Sequence, residues 1–221
     1  MNRSRARVDR RTLTAIPIGL AGRGGGLLLL ALVLGGCSAP RGAPSATLAT
    51  AVRRVAVLPA HNSTGQELVV SGSSLLEQYA FHSDRVTVPD ELSAFARQTL
   101  ERQGFDVVPA EIVEQATGGR TPASPEAAVT LARDAKLDAM ALYIDVRRWE
   151  SDAELHTDTV LVATDMVLLD PASGGVLWEA RRATRPEPLR ATVLRGQAYT
   201  IVAQKVVDEM LAPLGAAHPQ G

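Results

Sequence analysis

The segment 138–184 holds the strongest constraint on how this chain folds. In "DAMALYIDVRRW" (138–149), Met140, Leu142, Ile144 and Val146 fall on one side and Tyr143, Asp145 and Arg147 on the other. That is the period of two of a half-buried β-strand. The run 159–169, "TVLVATDMVLL", is apolar on both faces, which suits a central strand covered from both sides. "DPASGG" (170–175) is turn chemistry, and "VLWEARRAT" (176–184) returns as a third strand. Short connections make neighbours of consecutive strands, so the three are expected to form an antiparallel meander. Such a sheet needs helices to cover it.

The rest of the chain supplies them. "RRVAVLPA" contains a short β-branched run (55–58) stopped by Pro59, the pattern of a buried strand. "HNSTGQ" (61–66) is loop chemistry, "SSLLEQYAF" (73–81) reads as a short helix, and "DRVTVP" (84–89) as a short extended piece. Residues 89–103 fit a helix with Leu92, Phe95, Ala96 and Leu100 on one face and Gly104 closing it. "FDVVP" (105–109) is the next strand, "AEIVEQA" (110–116) a short helix, and "TGGRTPA" (117–123) a loop. Ser124 and Pro125 are an N-cap and a first-turn proline for a helix running to about Ala135. Residues 189–214 give one long amphipathic helix with Leu194, Ala198, Ile201, Val202, Val206 and Met210 on its core side. The order is β-α-β-α-α-β-β-β-α. The expected class is α/β (mixed α+β), a single mixed β-sheet with helices packed on it.

The N-terminus gives an address. Arg3, Arg5, Arg7, Arg10 and Arg11 precede the apolar run 27–34, and Gly35 and Gly36 lead to Cys37, the one cysteine of the chain. A basic region, an apolar run and small residues in that order form a secretory signal. The run is shorter than the roughly 20 residues of a spanning helix. One cysteine permits no internal disulfide. Residues 9–13, "DRRTL", loosely resemble a twin-arginine signal, but arginines crowd the whole region and the general secretory route is preferred. Residues 38–51 are dominated by Ala, Ser, Pro and Gly and read as a tether, which can lift a domain roughly 40 Å when extended.

Few residues point to chemistry. The net charge of −1 gives no bulk attraction for nucleic acid, and none is expected as a partner. No phosphate-binding loop and no G-x-S-x-G elbow is present, and Ser73 and Ser74 lack one. Glu154, His156 and Asp158 alternate onto one face if the strand begins early, yet a solvated hairpin end is the simpler reading. His61, His82 and His218 are scattered. Asp145 and Asp165 are expected to face solvent or to pair with Arg147 or Arg181, and Trp149 and Trp178 to pack in the core or at its rim. Leu75, Leu76, Tyr79 and Phe81 are either a loop folded over the sheet or a partner-binding surface; they are the partner-binding candidates. No catalytic residue, metal site or cofactor is expected.

Three pieces carry a resemblance: "RRVAVLPAHNSTG" after the signal and tether, "ARDAKLDAMALYIDVRRWES", and "VLLDPASGGVLWEAR". They resemble bacterial envelope lipoproteins with a TolB N-terminal-like or CsgG-like α/β domain. That group includes the curli secretion lipoprotein, the LpoB activator of peptidoglycan synthases, and small lipoproteins of unsettled role. Leu34-Gly35-Gly36-Cys37 looks like a lipobox. The resemblance implies cleavage between Gly36 and Cys37 and lipidation of the Cys37 thiol, with palmitate-type chains holding the protein in the membrane. One chain anchors only marginally, at about 0.8 kcal/mol per buried methylene, so two or three are needed. Ser38 after the cysteine resembles a signal for sorting to the outer membrane, facing the periplasm. No catalytic residue carries over. A curli-type pore needs additional barrel strands of about 9–11 residues, and no spare hairpin is visible.

The organisation expected is 1–36 lipoprotein signal peptide, 37–52 lipidated N-terminus and flexible tether, 53–214 periplasmic α/β domain, and 215–221 disordered tail. The expected role is a non-catalytic binding or accessory module in envelope assembly, secretion or transport. Its partner is another envelope protein or further copies of itself. Alternatives are an auxiliary lipoprotein of a transporter that binds lipid or a small apolar ligand, and a metal-dependent periplasmic enzyme built around His156.

Overall fold

In a computed structural model of the chain, residues 54–70, 86–151, 159–188 and 195–217 are described. All lie within the unit Ser38–Gly221. The elements are β1 (Arg54–Val57), β2 (His61–Asn62), α1 (Val88–Arg102), β3 (Asp106–Val107), α2 (Ala110–Thr117), α3 (Pro125–Asp134), β4 (Met140–Ser151), β5 (Thr159–Leu169), β6 (Val176–Pro188) and α4 (Arg195–Ala217). The sheet runs β3-β1-β4-β5-β6, with β2 paired to β4 beyond the end of β1. Contacts among β1, β2, β3 and β4 are parallel, and β4-β5-β6 is the antiparallel meander. The fold is a mixed sheet with packed helices, as the sequence indicates.

Both sheet faces are covered, which is why β1 reads as an unbroken apolar run. Val55 and Val57 belong to a core shared with α1 and α4, while Ala56 and Leu58 belong to a second core with α2 and α3. The division continues in β4, where Leu142, Ile144 and Val146 join the first core and Ala141 and Tyr143 the second. Strict alternation would send Trp149 to the face of Tyr143. Instead the β4–β5 register shifts between Val146 and Arg148. This bulge places one extra residue in β4 and reverses the phase beyond it, so Trp149 lies in the first core at 1% exposure, its ring edge-on to Tyr199 of α4.

Local chemistry sets the helix ends. Thr87 caps α1 through a capping box: its hydroxyl accepts from Asp90 N–H, and the Asp90 carboxylate accepts from Thr87 N–H at 2.9 Å. At the other end Gly104 has φ +88°. Its N–H donates to Glu101 C=O and that of Phe105 to Leu100 C=O, the two bonds of a Schellman motif. Before α1, the bridge Val69–Thr87 and the bond from Val70 N–H to Val86 C=O make Val86 and Thr87 extended, whereas Val88 and Pro89 of the expected extended piece 84–89 already belong to α1. Ser124 caps α3 as expected, its hydroxyl accepting from Ala127 N–H. α3 ends in the same motif, with Lys136 N–H donating to Arg133 C=O and Leu137 N–H to Ala132 C=O.

Some expectations are corrected. "HNSTGQ" is not all loop, since His61 and Asn62 form β2. Strand β3 has two residues, Asp106 and Val107, rather than the five of "FDVVP". Strand β6 runs on to Pro188. Ile201 of α4 is 54% exposed, whereas Ala198, Val202, Val206 and Met210 are buried as expected. Nine residues at about 100° each put Ile201 opposite Met210, so one face cannot hold both. Helix α4 continues to Ala217, and Leu194 lies outside the described residues. α1 and α4 pack together, cross-linked by Arg102 to Asp208 at 2.7 Å and by Gln103 Nε2 donating to Leu211 C=O.

Candidate functional site

The parallel strands bring one group of polar side chains together. β1 runs through Leu58, whose N–H donates to Leu142 C=O, and on into β2. Asn62 then shapes a tight turn. Its Oδ1 accepts from the Thr64 N–H and hydroxyl, and its Nδ2 donates to Gln66 C=O. This is the local asparagine bonding that competes with regular structure. The turn fixes Ser63 over β4: Ser63 N–H donates to Val146 C=O at 2.9 Å, and Ser63 Oγ donates to Asp145 Oδ1 at 2.6 Å. In open α/β sheets, ligands bind beyond the carboxyl ends of parallel strands, and this turn lies at the carboxyl end of β1 and β2.

Asp145 stands directly across from Asp165 on β5. Asp165 is ion-paired with Arg147 at 2.9 Å, and Arg181 of β6 pairs with Glu179. The Asp165 carboxyl is held above its ordinary value. Burial is the main cause and outweighs the attraction of Arg147 and Arg181, with smaller repulsion from Asp145 and Glu179 acting in the same direction as burial. The neighbouring Tyr143 hydroxyl is pushed up to about 12 by burial and by the charges of Asp145, Asp165 and Glu126. The expectation that these aspartates pair with Arg147 or Arg181 is met for Asp165; Asp145 is held by Ser63 instead. Among the described residues Ser63 donates to a carboxylate, and this bond holds the turn over β4. The surface offers hydrogen-bond acceptors and guanidinium donors.

A second polar cluster joins β6 to α4. The β5–β6 register shifts between Val162 and Thr164, and beyond that bulge Arg185 and Glu187 join Arg182 in facing the helix. Glu187, 2% exposed, touches Arg182 and accepts from Arg185 Nε and Lys205 Nζ at 2.9 Å each. Glu209 accepts from Arg182 at 2.7 Å and from Arg185 at 2.6 Å. Burial alone would raise the Glu187 pKa. Hydrogen bonds from Lys205 and Arg185 and the charge of Arg182 outweigh it and bring the value to about 2. Three cations around two carboxylates tie the strand to the helix, a clamp rather than an open site, although the buried Arg182 Nε has no hydrogen-bond partner among the described residues.

At the opposite edge of the sheet, beside β3, an open groove of about 510 Å³ runs between α1 and the β3–α2 connection, over Phe95, Arg97, Val107 and Pro109. Phe95 also packs on the first core, in keeping with its expected place on the apolar face of α1. Burial lowers the Arg97 pKa, opposed by Glu111, Glu101 and Asp90.

The residues singled out from sequence fall elsewhere. Gly36, Cys37, Leu75, Leu76, Tyr79 and Phe81 lie outside the described residues, as do Ser73, Ser74, His82, Glu154, His156, Asp158 and His218. Trp149 and Trp178 are both in the first core, as expected. Sequence reading missed the Ser63–Asp145 bond and the β6–α4 clamp. The charge run "EARRATRPEP" was the available signal for the clamp, but its inward phase depends on the bulge. Among the described residues, no group of three His, Cys, Asp or Glu is placed to hold a metal, and no helix is long and apolar enough to cross a membrane.

No family model matches the chain, and no curated protein matches it. Several solved structures do. PelC from Paraburkholderia phytofirmans, solved as a dodecamer, is 20% identical, with a TM-score of 0.44 over 76% of this chain and 90% of that one. The lipoprotein GNA1162 from Neisseria meningitidis is 18% identical, with a TM-score of 0.43 over 71% and 95%. LpoB from E. coli is 12% identical, with a TM-score of 0.37 over 83% and 88%.

Proposed function

We propose that this chain is a lipid-anchored protein of the outer membrane, facing the periplasm, that acts without catalysis as a binding or accessory module in envelope assembly, secretion or transport. The observation that carries the reading is the position of Cys37. It directly follows Gly35 and Gly36 at the end of the apolar run 27–34, and the small-residue stretch 38–51 separates it from the first strand at Arg54. A thiol at that point is suited to accept a diacylglyceryl group after cleavage behind Gly36. The stretches resembling TolB N-terminal-like and CsgG-like lipoproteins support the same reading, and Ser38 supports the outer membrane.

The two buried cores and the clamp between β6 and α4 support a folded domain that can present a surface. Leu75, Leu76, Tyr79 and Phe81 are the surface we assign to the partner, which is another envelope protein or a second copy. Cross-linking in intact cells, followed by mass spectrometry, tests the role. Defined envelope proteins or copies of the chain should be captured, and deletion of 75–81 should abolish that capture while leaving thermal unfolding of the domain unchanged. Undiminished capture by the deletion variant would remove these four residues from the interface, and no specific capture by the parent would overturn the accessory role.

A further inference from the structure

We draw no further inference here: the strongest candidate, the open groove between α1 and the β3–α2 connection, combines one guanidinium (Arg97) with two carboxylates (Glu101 and Glu111) that favour opposite partners, and nothing in the structure shows what covers it.

Discussion

Lys205 of the last helix donates a hydrogen bond to Glu187 of the last strand at 2.9 Å, and through Glu187 the helix is tied to Arg182 and Arg185. Glu187 is the hub. Replacing it with alanine leaves the Arg182 guanidinium, 7% exposed, with Glu209 as its remaining carboxylate. Breaking a buried pair from one side typically costs about 3–5 kcal/mol. We expect Glu187→Ala to lose about 3 kcal/mol in urea unfolding. A loss below roughly 1 kcal/mol, the worth of an exposed pair, would show that the clamp contributes little.

The same hub sets an acid limit. The Glu187 pKa falls from an ordinary 4.5 to about 2 on folding. Its contribution is therefore complete above about pH 4.5 and is lost as the pH falls through about 2. Unfolding monitored by circular dichroism should show the parent losing stability across that window, with Glu187→Gln losing less. Parallel curves for the two proteins would contradict the assignment.

Asp165 behaves in the opposite sense. Its pKa is raised on folding, so its ionised form disfavours the fold and stability is recovered as the pH drops through the folded value. Asp165→Asn removes a disfavoured charge, and Arg147, 43% exposed, remains hydrated. The variant should be as stable as the parent or more so at pH 7, with the gap closing as the pH falls through the raised folded value, where the carboxyl of the parent takes up its proton. Marked destabilisation at pH 7 would mean that the Arg147 pair outweighs burial.

Two helix ends give further tests. Lys136 sits in the left-handed region at φ 52°, a conformation that costs a non-glycine residue roughly 1–2 kcal/mol. Lys136→Gly should stabilise the domain by about 1 kcal/mol, less than the full strain because glycine also loses more chain entropy on folding. At the start of α1, Thr87→Ala removes one half of the capping box and should cost about 1 kcal/mol. Both are read from the urea midpoint at unchanged slope.

Where the sequence pattern is local, it determines the element. The alternation of 140–146, the doubly apolar run of β5 and the Ser124-Pro125 start of α3 all appear in the fold where they were expected. The failures share a cause. Arg185 and Glu187 lie beyond a bulge, as does Trp149, whose core placement was expected but whose face was not set by simple alternation; a bulge is one unpaired residue whose position depends on the facing strand. Ile201 follows the same rule in a helix, where apolar character alone does not fix which side is covered. The Ser63–Asp145 bond joins residues 82 positions apart, and neither residue carries a local sign of the other. The proposed membrane address, by contrast, rests on consecutive residues around Cys37.

That address is the most direct point of attack. The intact mass of the mature protein, extracted from membranes and compared with Cys37→Ser, measures it in one experiment. The expected result is a chain beginning at Cys37 and heavier than its polypeptide by a diacylglyceryl group and an added acyl chain, with Cys37→Ser left unprocessed and without lipid. A mature chain that begins at another residue, or begins at Cys37 without lipid, would contradict the anchor and with it the proposed location.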